Sequence, residues 1–421
     1  MDRKCLKNGF KRMAALLLVV LLLPLCAVAQ NGDRTVGELV KLGFENVCWG
    51  EDGKEVVYVI ENNTYKLSDV GIGMALDQIQ KSGMPQDGRL CRLIVLDNNV
   101  PKISLCCNRS QVGERDVLRS DWKVSYDLGD GWELVKGKER KNSSLYKVDL
   151  VIYPMFSFKN GRLSVPYQVR FNVNPTLEAS LWRGGRVTAQ LVIPVVNDYG
   201  YKYDDVRPGY LTVSQTVRLP YNVFVTATAG CFSSNRNGFD VSMEYYPQLK
   251  DFWFDARASY TWFGEWGEWS YGENLHPFKF GYDKNSGRAT WNIGANYYWR
   301  ALNSQLSLRG EKYIQGECGV RFDLIRHMKN CSIGFYGMYV PDDDHNKGVN
   351  GGFRFVVKLP PFKYKRSGYV PRVTTSSIWG FEYNAGGTFV YGQSFKANAQ
   401  QNMSEAIKYN PAYLEQELLN F

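Results

Sequence analysis

From about residue 145 the chain alternates apolar and polar residues with a period of two, segment after segment, with almost no helical spacing between. In Phe239-Asp-Val-Ser-Met-Glu-Tyr245 the apolar residues take one parity and Asp240, Ser242 and Glu244 the other. In Phe254-Asp-Ala-Arg-Ala-Ser-Tyr-Thr-Trp262 the polar parity is Asp255, Arg257, Ser259 and Thr261. Trp291-Asn-Ile-Gly-Ala-Asn-Tyr297 and Phe353-Arg-Phe-Val-Val-Lys-Leu359 repeat the scheme. Side chains of a strand point alternately to its two faces, so each segment has one oily face and one wet face. Turn sequences such as Arg183-Gly-Gly185 and Asp283-Lys-Asn-Ser-Gly287 separate them. At about 10 residues per strand plus turns, roughly 250 residues give about 14 to 16 strands.

A water-soluble β-sandwich or lectin-like domain alternates as well, with its oily face buried. Three features favour a membrane barrel over that alternative. The strands are many and consecutive. The apolar parities end in aromatics, at Tyr245-Tyr246, Trp262-Phe263, Tyr297-Tyr298-Trp299 and Tyr336/Tyr339, as interfacial girdles do. The polar parity carries both signs of charge, as a wet interior does. The 27 Tyr and 11 Trp suit such girdles. A mean hydropathy of −0.34 is no objection, because alternating strands average low.

The N-terminus reads as an export signal. Lys4, Lys7, Lys11 and Arg12 precede the apolar run Met13–Leu25, which ends at Ala27-Val28-Ala29. Cleavage there makes Gln30 the first mature residue. The run is short for a membrane anchor and contains Pro24. Lipid attachment at Cys26 is the remaining option, but it wants a small residue where Leu25 stands. Beyond this leader no stretch of 18 apolar residues occurs, so no transmembrane helix is expected. The expected location is the cell outer membrane.

Nine cysteines less Cys5 and Cys26 leave seven in the mature chain. Cys48, Cys91, Cys106 and Cys107 cluster early; Cys231, Cys318 and Cys331 lie far downstream. The odd number and the lack of Cys-x-x-Cys point to buried thiols, with one pair among the first four open. The net charge of +9 suits anionic lipid headgroups or anionic polymers. There is no basic cluster with nucleic-acid spacing.

Residues 30–115 read as a small α+β domain of order α-β-β-α-β-β. A helix covers Val36–Leu42. A hairpin joins strands at 44–49 and 55–60 through Glu51–Lys54. A helix over Leu67–Lys81 is capped by Ser68 or Asp69, and a second hairpin turns at Asp97-Asn98-Asn99. Gly71-Ile-Gly73 mimics half a dinucleotide fingerprint but falls inside that helix. Residues 116–144 are expected to be a linker, 145–400 the barrel, and 401–421 a helical tail, with Met403–Asn420 helical. The final strand is expected at Ile378–Tyr383 with Thr388–Tyr391, leaving the tail to cap or plug the periplasmic end. The expected fold is therefore mainly β: an antiparallel outer-membrane barrel preceded by a small α+β periplasmic domain and followed by a short helix.

No nucleophile elbow, P-loop or zinc spacing occurs, and no cofactor, metal or enzymatic activity is expected. Only His276, His327 and His345 are present. Asp342-Asp-Asp-His345 lacks the spacing of a calcium loop and reads as a solvated tip. The candidate functional positions face the interior: Glu244, Asp255, Arg257, Arg321, Asp323 and Arg354. They can bond sugar hydroxyls or grip acidic sugars, or simply pair with one another across strands.

Several short motifs give a resemblance. They are Arg207-Pro208-Gly209-Tyr210 opening a strand that ends Arg218-Leu-Pro220; Gly238-Phe-Asp240-Val-Ser-Met-Glu-Tyr-Tyr-Pro247; Gly316-Glu317-Cys-Gly319 followed by Arg326; Ile333-Gly-Phe335; and Gly351–Pro360. Over about residues 140–395 the chain resembles the YjbH/GfcD-type family of outer-membrane proteins for exopolysaccharide biosynthesis and export. The resemblance implies a barrel that assists secretion or modification of a surface polysaccharide, with outer-membrane lipid, polysaccharide and other periplasmic or outer-membrane export proteins as partners. Glu317 stands where the family pattern has Asp. A general diffusion porin, and an outer-membrane enzyme or surface-binding protein, are the alternatives. A porin predicts an unobstructed interior, and an enzyme predicts His327 or His276 beside a Ser in a cleft.

Overall fold

The computed structural model describes residues 32–113, 115–160, 167–200, 204–266, 280–341, 348–359, 372–376, 378–384, 392–400 and 407–419. The expected leader, with Cys26 and the Ala27–Ala29 site, lies outside them. So do His276, Asp342–His345, Thr388–Tyr391 and Met403; the expected tail helix is shorter among the described residues, beginning only at Pro411, where Asn410 accepts from the Tyr413 amide at 3.1 Å.

The N-terminal unit runs α1 (residues 32–42), β1 (Glu45–Glu51), β2 (Glu55–Glu61), α2 (Ser68–Ser82), β3 (Leu90–Asp97), β4 (Val100–Asn108), one-turn α3 (Arg109–Val112), β5 (Lys123–Ser125) and α4 (Gly131–Val135). Its sheet is ordered β1-β2-β3-β4-β5. Only β2 and β3 are parallel, because α2 carries the chain back across the sheet between them. β2 is buried at all seven positions, because both of its faces are covered. Leu39, Ile72, Leu76 and Ile79 pack on Tyr58 and Ile60, while Val57 and Val59 take Leu128 and Val135 on the other side. Asn98 and Asn99, at φ 51° and 64°, supply the two left-handed residues of the β3–β4 hairpin. Gly71 and Gly73 lie within α2.

Two local expectations are corrected. Residues 116–144 are not a free linker. β5 pairs with β4, Val135 of α4 fills the second core, and Lys141 bridges back to Val47. The apolar side chains of this stretch are needed to cover a β2 that is oily on both faces. The N-cap of α2 is Leu67, with no side-chain cap. Asn62 closes the preceding turn instead, exchanging bonds with the Tyr65 amide (2.9 Å) and carbonyl (3.1 Å), so Ser68 is already helical.

The second unit is a single 15-stranded sheet. Its strands are β6 (Val148–Asn160), β7 (Tyr167–Trp182), β8 (Gly185–Asn197), β9 (Arg207–Leu219), β10 (Val223–Cys231), β11 (Arg236–Tyr245), β12 (Phe252–Trp266), β13 (Phe280–Tyr282), β14 (Arg288–Trp299), β15 (Ser304–Lys312), β16 (Cys318–His327), β17 (Cys331–Tyr339), β18 (Val349–Lys358), β19 (Arg372–Thr375) and β20 (Ile378–Asn384). From β6 to β18 each strand pairs antiparallel with the next, β13 being a short flap on β12. The two edges meet in one stretch of chain. β19 lies parallel to β6, with Arg372 on Asp149 at 2.6 Å, and β20 lies antiparallel to β18. Phe156 of β6 contacts the rings of Trp379 and Phe381 on β20, centroids 6.2 and 5.8 Å apart. Among the described residues β6 and β20 share no hydrogen-bonded ladder.

The end of the sheet with the tightest turns carries the N-terminal unit. Gly184, in the β7–β8 turn, donates its amide to the Asn98 carbonyl at 2.9 Å. Arg218, at the β9–β10 turn, donates to the carbonyls of Tyr126 and Pro101. The last helix, α5 (Pro411–Leu419), is wedged at the same end. Its Ala412, Leu414 and Leu418 share one core with Ile72 and Trp122 of the N-terminal unit and with Phe224, Trp253 and Tyr298 of the sheet.

Candidate functional site

The large sheet is inside out by the standard of a water-soluble protein. Phe239, Ile293 and Phe335 are 61%, 63% and 60% exposed, whereas Asp240, Ser307 and Asp323 are each 2% exposed. The same division holds along β16, where Val320, Phe322 and Leu324 face out and Arg321, Asp323 and Ile325 face in. The exposed aromatics include Trp182, Tyr221, Tyr245 and Trp299 near the end carrying the N-terminal unit, and Tyr282 and Tyr339 at the other. In water such an arrangement would forfeit roughly 25 cal/mol for each Å2 of apolar surface left outside.

The inward polar face lines a cavity of about 480 Å3, and all six candidate positions lie on its wall: Glu244, Asp255, Arg257, Arg321, Asp323 and Arg354. Their charges are matched across strands. Arg257 of β12 contacts Asp240 of β11 at 2.5 Å, and the Ser259 hydroxyl donates to the same carboxylate at 2.6 Å. Asp255 accepts from Asn296 at 2.6 Å and faces Arg309 at 3.5 Å. Arg321 and Arg354 both reach Asp323, at 3.0 and 3.5 Å, and both reach Glu382, at 3.4 and 2.6 Å. The ring of Tyr336 lies under the two guanidiniums, 4.1 and 5.5 Å from them.

Several members of this wall were not anticipated. Arg309 and Glu382 follow the same alternation, in Leu306-Ser-Leu308-Arg309 and Trp379-Gly-Phe381-Glu382, so parity was enough to find them. Phe395 and Gln400 have no strand pattern around them, and only the fold places them. Residues 392–400 cross the inner face. Phe395 is 4% exposed, stacked on Phe232 with centroids 5.3 Å apart, with the Arg257 guanidinium 4.5 Å over its ring. Gln400 links Arg186 (2.7 Å) to Glu178 (2.5 Å).

A second cavity of about 160 Å3 lies where the N-terminal unit meets the sheet and shares Asp97, Glu178, Arg186, Gln400 and Lys408 with the first. Glu61 lines it, with a carboxylate that accepts from Asn46, from the Ser144 hydroxyl at 2.9 Å and from the Asn99 amide at 3.1 Å. Burial pushes the Glu61 carboxyl above the usual carboxylate range, and the nearby Asp97 charge adds to the rise.

The residues carrying the family resemblance fall into different places. Arg207, Pro208 and Gly209 open β9, Gly238 and Asp240 are in β11, and Gly319 is in β16. Asp240 joins the interior network through Arg257. Arg326 is exposed on the outer face of β16. Glu317 sits in the β15–β16 turn, where its backbone carbonyl accepts from the Tyr313 amide at 2.9 Å. His327 does stand beside a serine, with Nδ1 3.0 Å from the Ser332 hydroxyl. Both are 2% exposed, the imidazole lies against the Tyr413 ring of α5, and neither lines the interior cavity. The seven cysteines among the described residues are thiols; Cys91 and Cys107 stand opposite each other across β3 and β4.

No protein family, curated protein or solved structure matches this chain.

Proposed function

We propose that this chain is an outer-membrane β-barrel that assists export or assembly of an exopolysaccharide or capsule. The observation that carries the membrane part is the inverted burial of the large sheet, oily outside and charged within. A surface of this kind is stable in lipid, and only a closed sheet leaves no unpaired backbone there. The stretch 372–384, shared between β6 and β18, is the seam of the closure. The seam is parallel, which an odd number of alternating strands requires; bacterial barrels of even number close antiparallel. The tight-turn end is periplasmic by the same rule, which puts the N-terminal unit in the periplasm, placed for docking to other export proteins. Export follows from cleavage after Ala29.

The polysaccharide part is supported by the interior and by the resemblance to the YjbH/GfcD-type family. Arginines held in register by carboxylates, beside Tyr336 and Phe395, offer bidentate contacts to acidic sugars and flat faces for sugar rings. A general diffusion porin is disfavoured by residues 392–400 lying across the interior.

Membrane fractionation with a heat-modifiability gel tests the membrane part. A barrel runs faster unboiled and resists urea extraction; a soluble protein released by urea would overturn it. Deletion of the gene tests the export part: surface polysaccharide should fall, and unchanged polysaccharide with a folded barrel would overturn it.

A further inference from the structure

Residues 392–400 and α5 together contact the sheet from one of its ends to the other. At the far end the Ile314 amide donates to the Gln393 carbonyl (3.0 Å) and Ser233 exchanges bonds with Lys396, amide to carbonyl at 3.1 Å and amide to hydroxyl at 2.7 Å. Beside them, Phe395 is held between Phe232 and Arg257, and Arg257 also donates to its carbonyl at 3.1 Å. Deeper in, Gln400 bridges Arg186 and Glu178. At the periplasmic end α5 is gripped by charged turns. Glu415 meets Lys250 at 2.7 Å and Arg300 at 3.6 Å and accepts from the Val124 amide at 3.0 Å. Gln416 bonds Tyr298 at 2.7 Å, and Glu417 meets Lys358 at 3.1 Å.

The two ends of this stretch are held differently. Residues 392–400 form no strand of the sheet; they are tied by turn and side-chain bonds, by the Arg257 guanidinium over Phe395, and by a small cluster of Phe395 and Ala397 with Phe232 and Ile314. α5 is tied by a cluster of ion pairs and a shared hydrophobic core, and that core includes the N-terminal unit. A segment held by side chains and turns rather than by a strand ladder can leave the interior without breaking the sheet, provided its root is released.

We infer that residues 392–400 and α5 work together as a self-plug: 392–400 occupy the path of the polymer, and α5 is the latch that keeps them there. The inference rests on the reading of the chain as a membrane barrel and concerns how its interior is regulated.

Conductance of the full-length protein in planar bilayers with potassium chloride tests it. The unaltered protein should insert and conduct little. Glu415→Lys sets a lysine against Lys250 and Arg300 and should raise mean conductance at least tenfold. Adding Lys250→Glu and Arg300→Glu should restore the closed level, which a merely destabilised variant would not do. Phe395→Ser acts at the other end of the plug and should also open it, so loss of folding in one variant leaves the other to decide. Full conductance by the unaltered protein, or folded variants that conduct no more than it does, would overturn the plug. Failure of the barrel reading looks different: no heat-modifiable band and no insertion at all.

Discussion

Arg354 on β18 and Asp323 on β16 meet at 3.5 Å across the strand that separates them, over the ring of Tyr336 on that middle strand. Arg321 reaches Asp323 from the same strand at 3.0 Å. One carboxylate thus holds two guanidiniums, and Glu382 holds both from the other side. Asp323→Ala removes the buried one of the two carboxylates that bridge these arginines and leaves Glu382, itself 40% exposed. The expected cost is about 3 kcal/mol, as for other buried pairs that lose one partner. Urea unfolding in lipid or detergent measures it, and a change under about 0.5 kcal/mol would show the cluster to be energetically idle.

The outward face offers the sharpest test of its solvent. Ile293 sits in the middle of β14 and is 63% exposed. In a bilayer, Ile293→Arg should cost about 2–4 kcal/mol and reduce the heat-modifiable fraction. On a water-facing sheet the same substitution should be nearly neutral or improve solubility. Ser307→Ala, on the opposite face, controls for general intolerance of the sheet.

Glu61 predicts a pH dependence. Its folded carboxyl is raised above its unfolded value, chiefly by desolvation, so the folded state holds its proton to higher pH than the unfolded state does. Stability contributed by this group is present below the ordinary carboxylate range and is lost as pH rises through the raised value. Glu61→Gln should remove that loss and leave the protein as stable or more stable at neutral pH. Glu61→Ala should instead cost about 1–3 kcal/mol, because Asn46, Ser144 and the Asn99 amide lose their acceptor. Thermal melts at acidic and neutral pH separate the two; equal behaviour of the Gln and Ala variants would argue against this assignment.

Gly184 joins the two units at a conformation open to few other residues. Its φ is +76°, and an added Cβ would lie 2.1 Å from the Thr216 carbonyl oxygen. Gly184→Ala should cost about 1–3 kcal/mol. It should also loosen the N-terminal unit, read as faster hydrogen exchange at the Gly184 amide that bonds Asn98. Unchanged exchange would mean the turn relaxes freely.

The strands of the large sheet were legible because alternation is a local property: Phe239 through Trp262 can be sorted into two faces with no knowledge of what lies beyond them. The six interior positions followed from that sorting. Local patterning was blind to 116–144, whose apolar side chains look scattered until β2 is seen to need cover on both faces. It was equally blind to Phe395, which has no periodic neighbours and is placed by Phe232 and Arg257, respectively 163 and 138 residues away in the chain (395 − 232 and 395 − 257).

The sequence by itself determined which residues form strands and which face of each is oily, because side chains alternate along a strand whatever surrounds it. Only the tertiary structure decided which way those faces turn, how the edges meet through 372–384, and that the C-terminus crosses the interior. Those outcomes depend on contacts between residues hundreds of positions apart, such as Glu415 with Val124 and Arg372 with Asp149, and no local window of the chain contains both partners.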